Sequence, residues 1–151
     1  MQSLHSLPDI RPLPVSLWVR AARGIFVFSL GGVLYYFLEI LFRGYSHFSM
    51  FLCGGLCFAG LYLINSLYHN AFRAMRWIMG ALLITVTEFW CGVVVNIFLG
   101  WDVWDYADLP LNLLGQVCLP FTVIWFFLCI PADLLCDLLR RLFRVELPRK
   151  Y

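Results

Sequence analysis

The sequence predicts an all-α integral membrane protein, a four-helix transmembrane bundle with an outer loop cap and a C-terminal amphipathic helix. Of its 151 residues, 62% are hydrophobic and only 13% are charged, against about 45–50% and 25% in ordinary globular domains. A soluble domain of this size could not bury that much apolar surface, because surface grows too fast relative to volume. Four apolar stretches also approach or exceed the ~20 residues that a helix needs to cross a bilayer.

The predicted spans are residues 24–42, 48–68, 77–99 and 115–132, and the charged residues inside them are Glu39 and Glu88. Each span should be helical, because backbone groups in lipid must find partners within their own segment. The apolar runs are continuous and too long for the ~10 alternating residues of a barrel strand. Short connections predict that consecutive helices are antiparallel neighbours in one up-down bundle.

The two ends complete a single membrane domain covering residues 1–151. Residues 1–23 are predicted to be a cytoplasmic lead-in, since they contain three prolines and lack the features of a secretory signal peptide. Pro131 predicts a kink or a new helical turn. The remaining residues, 133–151, then read as a cytoplasmic tail whose amphipathic helix lies along the membrane surface.

The basic residues predict the orientation. With four spans, ten of the eleven Lys and Arg residues share the side that holds both termini and the loop at residues 69–76. They are Arg11, Arg20, Arg23, Arg73, Arg76, Arg140, Arg141, Arg144, Arg149 and Lys150, and Arg43 alone lies on the other side. By the positive-inside rule, both termini should be cytoplasmic in a multi-pass protein of the cell membrane. The loop from Gly100 to Leu114, here called the acidic loop, should face outward.

Small residues and cysteines in the spans predict close helix packing. The run GGLCFAG at residues 54–60 and the pair Gly31–Gly32 should allow neighbouring helix backbones to approach. The six cysteines lie in or at the ends of the apolar spans, where they should act as packing residues.

Glu88 lies about midway along the third span, where an ionised carboxylate costs about 3 kcal/mol or more. Thr85, Gly92 and Asn96 continue its face, so this polar stripe should point into the bundle or an oligomer interface. Two interpretations stand side by side. Glu88 is either a protonated group hydrogen-bonded to a neighbouring helix, or a proton or cation relay or ligand contact.

Glu39 lies one turn from the outer end of the first span, and Arg43 follows four residues later on the same face. This spacing predicts an ion pair. A ligand-binding or catalytic role for Glu39 is the alternative.

The acidic loop contains Asp102, Asp105, Asp108 and Asn112, with Trp101, Trp104 and Tyr106 between them. Clustered carboxylates can bind a divalent cation, but the alternating ligands and central glycine of an EF-hand are absent. The aromatic residues suit a membrane–water interface. A folded outer cap is therefore favoured over a metal site, and the presence of a metal stays open.

Motifs of common enzymes are absent from the sequence. There is no GxxxxGK[ST] phosphate loop, no HExxH or GxSxG motif and no Ser–His–Asp set. No catalytic residue, cofactor or nucleic-acid partner is predicted. The candidate binding residues are Glu39, Glu88, Asn96, Trp104, Asp105, Tyr106, Asp108 and Asn112.

A longer pattern resembles the putative ABC-transporter type IV family of small bacterial membrane proteins. It combines a glutamate in the third span with the run WDYAD.P.N..GQ.C..F...W at residues 104–125, and a first block around Gly32, Glu39 and RGYSHFSMFLCGG. The segment that reads GPLCPIYG in many members is GGLCFAG here. The resemblance covers roughly residues 25–130. It implies a permease in which Glu39, Glu88 and the WDY run share one outer site.

Three functions remain open at this point. The first is a transporter or permease-like component, which would need a second copy of the chain or an ATPase subunit because four short spans rarely enclose a pathway. The second is a membrane enzyme acting on a lipid or lipid-linked substrate, and the third is an assembly or scaffold protein. The lipid bilayer is a partner in all three.

Overall fold

A computed structural model describes residues 16–145 as a bundle of four long helices. They are α1 (Leu17–Arg43), α2 (Phe48–Leu67), α3 (Arg73–Gly92), which continues as a π-helical turn (Val93–Phe98), and α4 (Leu119–Val145). All four are long and apolar enough to cross a membrane. The predicted fold class is thereby confirmed, and the chain is a multi-pass membrane protein. The parts of the predicted lead-in before residue 16 and of the predicted tail after residue 145 lie outside the described residues.

Two helices begin earlier than the apolar runs predict. Ser16 caps α1, its hydroxyl accepting a hydrogen bond from the Val19 N–H at 3.4 Å, so the helix starts seven residues before the predicted span at Gly24. The helix α3 starts at Arg73 rather than Trp77. Charged residues occupy both extensions, and charge was the criterion that set the ends of the predicted spans.

The helix α4 runs from Leu119 to Val145 with Pro131 inside it, so the helix continues past the proline. Within this helix Cys136 is fully buried and packs with Leu139 against Val27 of α1 and Phe58 of α2. The first part of the predicted tail therefore extends the bundle. A proline inside a membrane helix is tolerated when neighbouring helices provide hydrogen-bond partners for the backbone groups that the proline leaves unpaired.

The connections define two ends of the bundle. The loop end carries residues 44–47 and the acidic loop, and the terminal end carries the start of α1, residues 68–72 and the end of α4. At the loop end a small antiparallel hairpin pairs β1 (Asn112–Leu113) with β2 (Val117–Cys118). It occupies the first residues of the predicted fourth span, so α4 starts four residues later than predicted. Leu114 and Gly115 turn the hairpin with φ angles of 53° and 67°.

The glycines of α1 and α2 bring these helices into close contact, as the small-residue pattern predicts. A methyl group added at Gly31 would collide with the Phe58 side chain and lie 2.9 Å from the Gly54 carbonyl oxygen. A methyl group at Gly54 would in turn collide with Tyr35. These two helices form the largest helix–helix contact in the described chain. The fit of large side chains against glycines holds α1 to α2.

Polar side chains join α2, α3 and α4 at the terminal end. The Arg76 guanidinium donates to the Asp133 carboxylate at 2.8 Å, and both side chains are over nine-tenths buried. Asn65 donates to Asp133 at 2.7 Å and to Asp137 at 3.1 Å, and Arg140 donates to Asn65 at 2.9 Å. The Arg76 charge is therefore neutralised inside the bundle, which explains how α3 can extend beyond its apolar run.

Replacing Gly31 by alanine should lower the free energy of unfolding by about 1–3 kcal/mol, because the backbones of α1 and α2 must separate to admit the methyl group. Gly24→Ala is the matched control, since nothing lies within 4 Å of the added atom. Thermal unfolding in detergent measures both. Equal stability of the two variants would contradict close packing at Gly31.

Asp133→Ala should be more damaging, at about 3–5 kcal/mol, because it leaves the buried Arg76 charge unpaired. Asp108→Ala, which removes an exposed carboxylate in the acidic loop, should stay within about 0.5 kcal/mol of the parent chain. The same unfolding measurement separates the two. A parental midpoint for Asp133→Ala would mean that the buried ion pair does not stabilise the bundle.

Candidate functional site

The buried carboxylate of Glu88 is the centre of the candidate site. Its side chain is 1% exposed, so it points into the bundle as the polar stripe predicts. The indole N–H of Trp125 on α4 donates to one carboxylate oxygen at 2.8 Å. The hydroxyl of Tyr106 in the acidic loop donates to the other at 3.3 Å. One carboxylate therefore joins α3, α4 and the loop.

Tyr106 is held in place by its ring as well as by its hydroxyl. The ring stacks on Phe121 of α4 with centroids 4.5 Å apart and planes 18° from parallel. Burial, with the negative charge of Glu88 beside it, raises the pKa of the Tyr106 phenol well above its usual value. The hydroxyl therefore stays protonated at neutral pH and remains a donor.

A cavity of about 340 Å³ lies between α1 and α4 at the loop end. Its size falls within the range of about 300–1,000 Å³ that is typical of small-molecule pockets. Tyr35 and Leu38 line it from α1, and Phe121, Ile124 and Trp125 line it from α4. We call this space the lateral cavity.

The lateral cavity exists because α1 packs mainly on α2, while α4 packs mainly on α3. The helices α1 and α4 meet at the terminal end, where the rings of Phe26 and Phe143 are 6.3 Å apart. Further along, the rings of Tyr35 and Trp125 are 5.7 Å apart. Beyond that contact the two helices leave a gap.

An ion pair closes the loop end of the lateral cavity. Arg43 pairs with Glu39, as their spacing predicts, and both residues line the cavity. Glu39 also accepts a hydrogen bond from Ser46, and Arg43 donates to the Val103 carbonyl at 2.9 Å. The pair therefore holds the end of α1 against the acidic loop.

Asn96 fixes the acidic loop to α3. It lies in the π-helical turn, where its amide nitrogen donates to the Trp104 carbonyl at 2.9 Å and to the Gln116 side chain at 2.8 Å. Its amide oxygen accepts from the Val103 N–H at 2.8 Å. Every hydrogen-bonding group of the Asn96 amide is thus engaged by the loop and the segment after it. Single π-helical turns frequently occur at functional sites.

The other polar candidates shape the loop itself. Trp104 is buried and its indole N–H donates to the Gln116 carbonyl at 2.9 Å. Asp105 accepts from the Ala107 N–H at 2.8 Å, and Asn112 donates to two loop carbonyls at 2.9 Å each. Asp108 is exposed at the surface.

The structure therefore divides the eight candidate residues into two groups. Glu39, Glu88 and Tyr106 come together at the lateral cavity, as wall residues or directly behind the wall. Asn96, Trp104, Asp105 and Asn112 hold the loop in position, and Asp108 lies exposed on its surface. Among residues 16–145, no three Asp, Glu, His or Cys side chains gather as metal ligands would.

Trp125 and Tyr35 are the site residues that sequence reasoning missed. Trp125 ends the run at residues 104–125 that carries the family resemblance, but it was not among the candidate binding residues. A buried carboxylate needs a hydrogen-bond donor. The indole N–H of Trp125 is one of the few side-chain donors in the predicted fourth span, and this is the signal that could have identified it. No signal in the sequence indicated that Tyr35 would lie opposite it.

Comparison with known proteins gives one family. A family model described as Putative ABC-transporter type IV matches residues 25–145, which is most of the chain. No curated protein and no solved structure matches it.

Trp125→Phe should lower the free energy of unfolding by about 1–3 kcal/mol, because one oxygen of the buried Glu88 carboxylate loses its donor. Trp90→Phe is the matched control, since Trp90 is 62% exposed on the outer surface of α3. Thermal unfolding in detergent measures both. Equal losses in the two variants would contradict a specific role for the indole N–H of Trp125.

Proposed function

Because the chain belongs to the putative ABC-transporter type IV family, we propose that it is the permease-like component of a transport system in the cell membrane. Its ligand binds in the lateral cavity, beside the Glu88 carboxylate. The observation that carries this proposal is that Glu88 holds two residues of the cavity wall, Trp125 and Tyr106, through one hydrogen bond each.

Glu88 lies behind that wall, so it acts on a ligand through the two aromatic residues. Its contacts survive a change of protonation. As a carboxylate it accepts from both Trp125 and Tyr106, and with a proton on the oxygen near Tyr106 it can donate to the phenol oxygen instead. The site can therefore hold or release a proton while the wall keeps its hydrogen bonds.

An enzyme that acts on a lipid-linked substrate is less well supported by this geometry. General acid–base catalysis needs titratable groups within hydrogen-bond reach of the substrate. Glu88 is covered by the wall, and both oxygens of Glu39 are engaged, one by Arg43 and one by Ser46. A binding role does not require a titratable group within hydrogen-bond reach of the ligand, so the positions of Glu88 and Glu39 are compatible with it.

The partner is a subunit that hydrolyses ATP. The chain contains no phosphate loop, and between about one fifth and two fifths of each spanning window is buried within the chain. The remaining apolar faces are available for lipid, for a second copy or for another membrane subunit. Basic residues at the terminal end, including Arg20, Arg73 and Arg141, support a cytoplasmic position for that end and for the contact with the ATPase.

Glu88→Gln should lower ATP hydrolysis by the assembled transporter about ten-fold or more. The amide oxygen can accept from Trp125 and the amide nitrogen can donate to the Tyr106 phenol oxygen, so the wall stays in place, but the amide can neither carry the carboxylate charge nor release a proton. The measurement is the ATPase activity of the complex that co-purifies with the full-length tagged chain from the membranes of its own organism in mild detergent.

Asp108→Asn is the matched control, because it changes an exposed carboxylate of the same loop, and it should leave ATP hydrolysis unchanged. Thermal unfolding of Glu88→Gln shows whether the chain still folds. ATP hydrolysis no greater than in a mock purification would refute the transporter assignment. Parental activity of a folded Glu88→Gln complex would refute the role of the carboxylate.

A further inference from the structure

The interior of the lateral cavity is suited to a hydrocarbon. Its charged residues, Glu39 and Arg43, lie at the loop end, and most of the wall consists of aromatic and aliphatic side chains such as Leu38, Ile124 and Leu128. An aqueous solute would lose its hydration there without gaining hydrogen bonds, which is unfavourable. An apolar chain gains free energy in proportion to the area that it buries.

The cavity opens sideways towards the bilayer. Phe42 of α1 and Phe127 of α4 line it and are 73% and 60% exposed on the outer surface of the bundle. Phe127 lies eight residues into α4, which is about 12 Å from the start of that helix at 1.5 Å per residue. In a membrane this depth is hydrocarbon, so the opening faces lipid chains.

A cation stands at the polar end of the cavity. Arg43 is the one Lys or Arg between Arg23 and Arg73 in the sequence, and its side chain is 28% exposed. One of its terminal nitrogens donates to the Val103 carbonyl and the other to Glu39. A guanidinium has five N–H donors, so donors remain for an anionic group at the loop end of α1.

We propose that the lateral cavity binds one phospholipid of the surrounding bilayer, with an acyl chain between α1 and α4 and its phosphate on Arg43. This names the ligand class of the proposed transport site and rests on that proposal for the ligand's role. Binding itself can be measured without any transport activity. The apolar interior and the sideways opening suit an acyl chain, and Arg43 at one end suits an anionic head group.

The test is native mass spectrometry of the full-length chain, purified in mild detergent and supplied with a phospholipid of defined chains. The parent chain should retain one phospholipid. Ile124→Trp fills the cavity from α4, and Leu38→Trp fills it from α1, so each should lose that lipid at least ten-fold. Val123→Trp is the matched control on the exposed side of α4 and should retain it.

The phosphate contact is tested by competition with a diacylglycerol that has the same two chains. The parent chain should prefer the phospholipid by about ten-fold, and Arg43→Gln should remove that preference, as expected when a charge-assisted hydrogen bond is lost. Equal retention of both lipids by the parent chain would refute the role of Arg43.

Two results would overturn the proposal as a whole. One is equal lipid retention by Ile124→Trp and Val123→Trp, which would mean that the lipid coats the outer surface. The other is a lipid-free dimer that Ile124→Trp dissociates, which would make a second copy the occupant. Lipid retention by a chain that supports no ATP hydrolysis would instead refute the transport function and leave the lipid site standing.

Discussion

The requirement that a buried carboxylate be hydrogen-bonded governs how this bundle is built. Glu88 lies in an apolar interior, where an unpaired charge is too costly to persist. Its two donors come from different parts of the chain, the indole of Trp125 on α4 and the phenol of Tyr106 in the acidic loop. The two hydrogen bonds to Glu88 therefore fix the spacing of α3 and α4 and hold the acidic loop against the membrane-embedded helices.

The acidic loop can meet this requirement only because a second set of contacts fixes its backbone. Asn96 binds the loop at Val103 and Trp104 on one side and at Gln116 on the other. The π-helical turn that contains Asn96 lies one to three turns beyond Glu88 on the same helix. This single amide makes more hydrogen bonds to the loop and its flanking segment than the three aspartates of the loop make.

The sequence predicts well what depends on local hydrophobicity and poorly what depends on pairing between distant residues. The four helices, the inward direction of Glu88 and the ion pair of Glu39 with Arg43 follow from apolar length and helical spacing. The extension of α3 to Arg73 does not, because Arg76 becomes acceptable in the bundle only through Asp133, 57 residues away. The loop's aspartates suggested a site by their number, whereas its tyrosine provides the contact.

The gap between α1 and α4 is a consequence of packing elsewhere. The glycines of α1 and α2 fix those helices together so tightly that α1 cannot shift towards α4 without losing the contact of Gly31 with Gly54 and Phe58. At mid-height the ring of Tyr35 rests near that of Trp125, which Glu88 holds in place. The packing of the helices themselves therefore forms the cavity. Binding then avoids the cost of separating packed helices, and the buried carboxylate contributes to it by keeping the wall rigid.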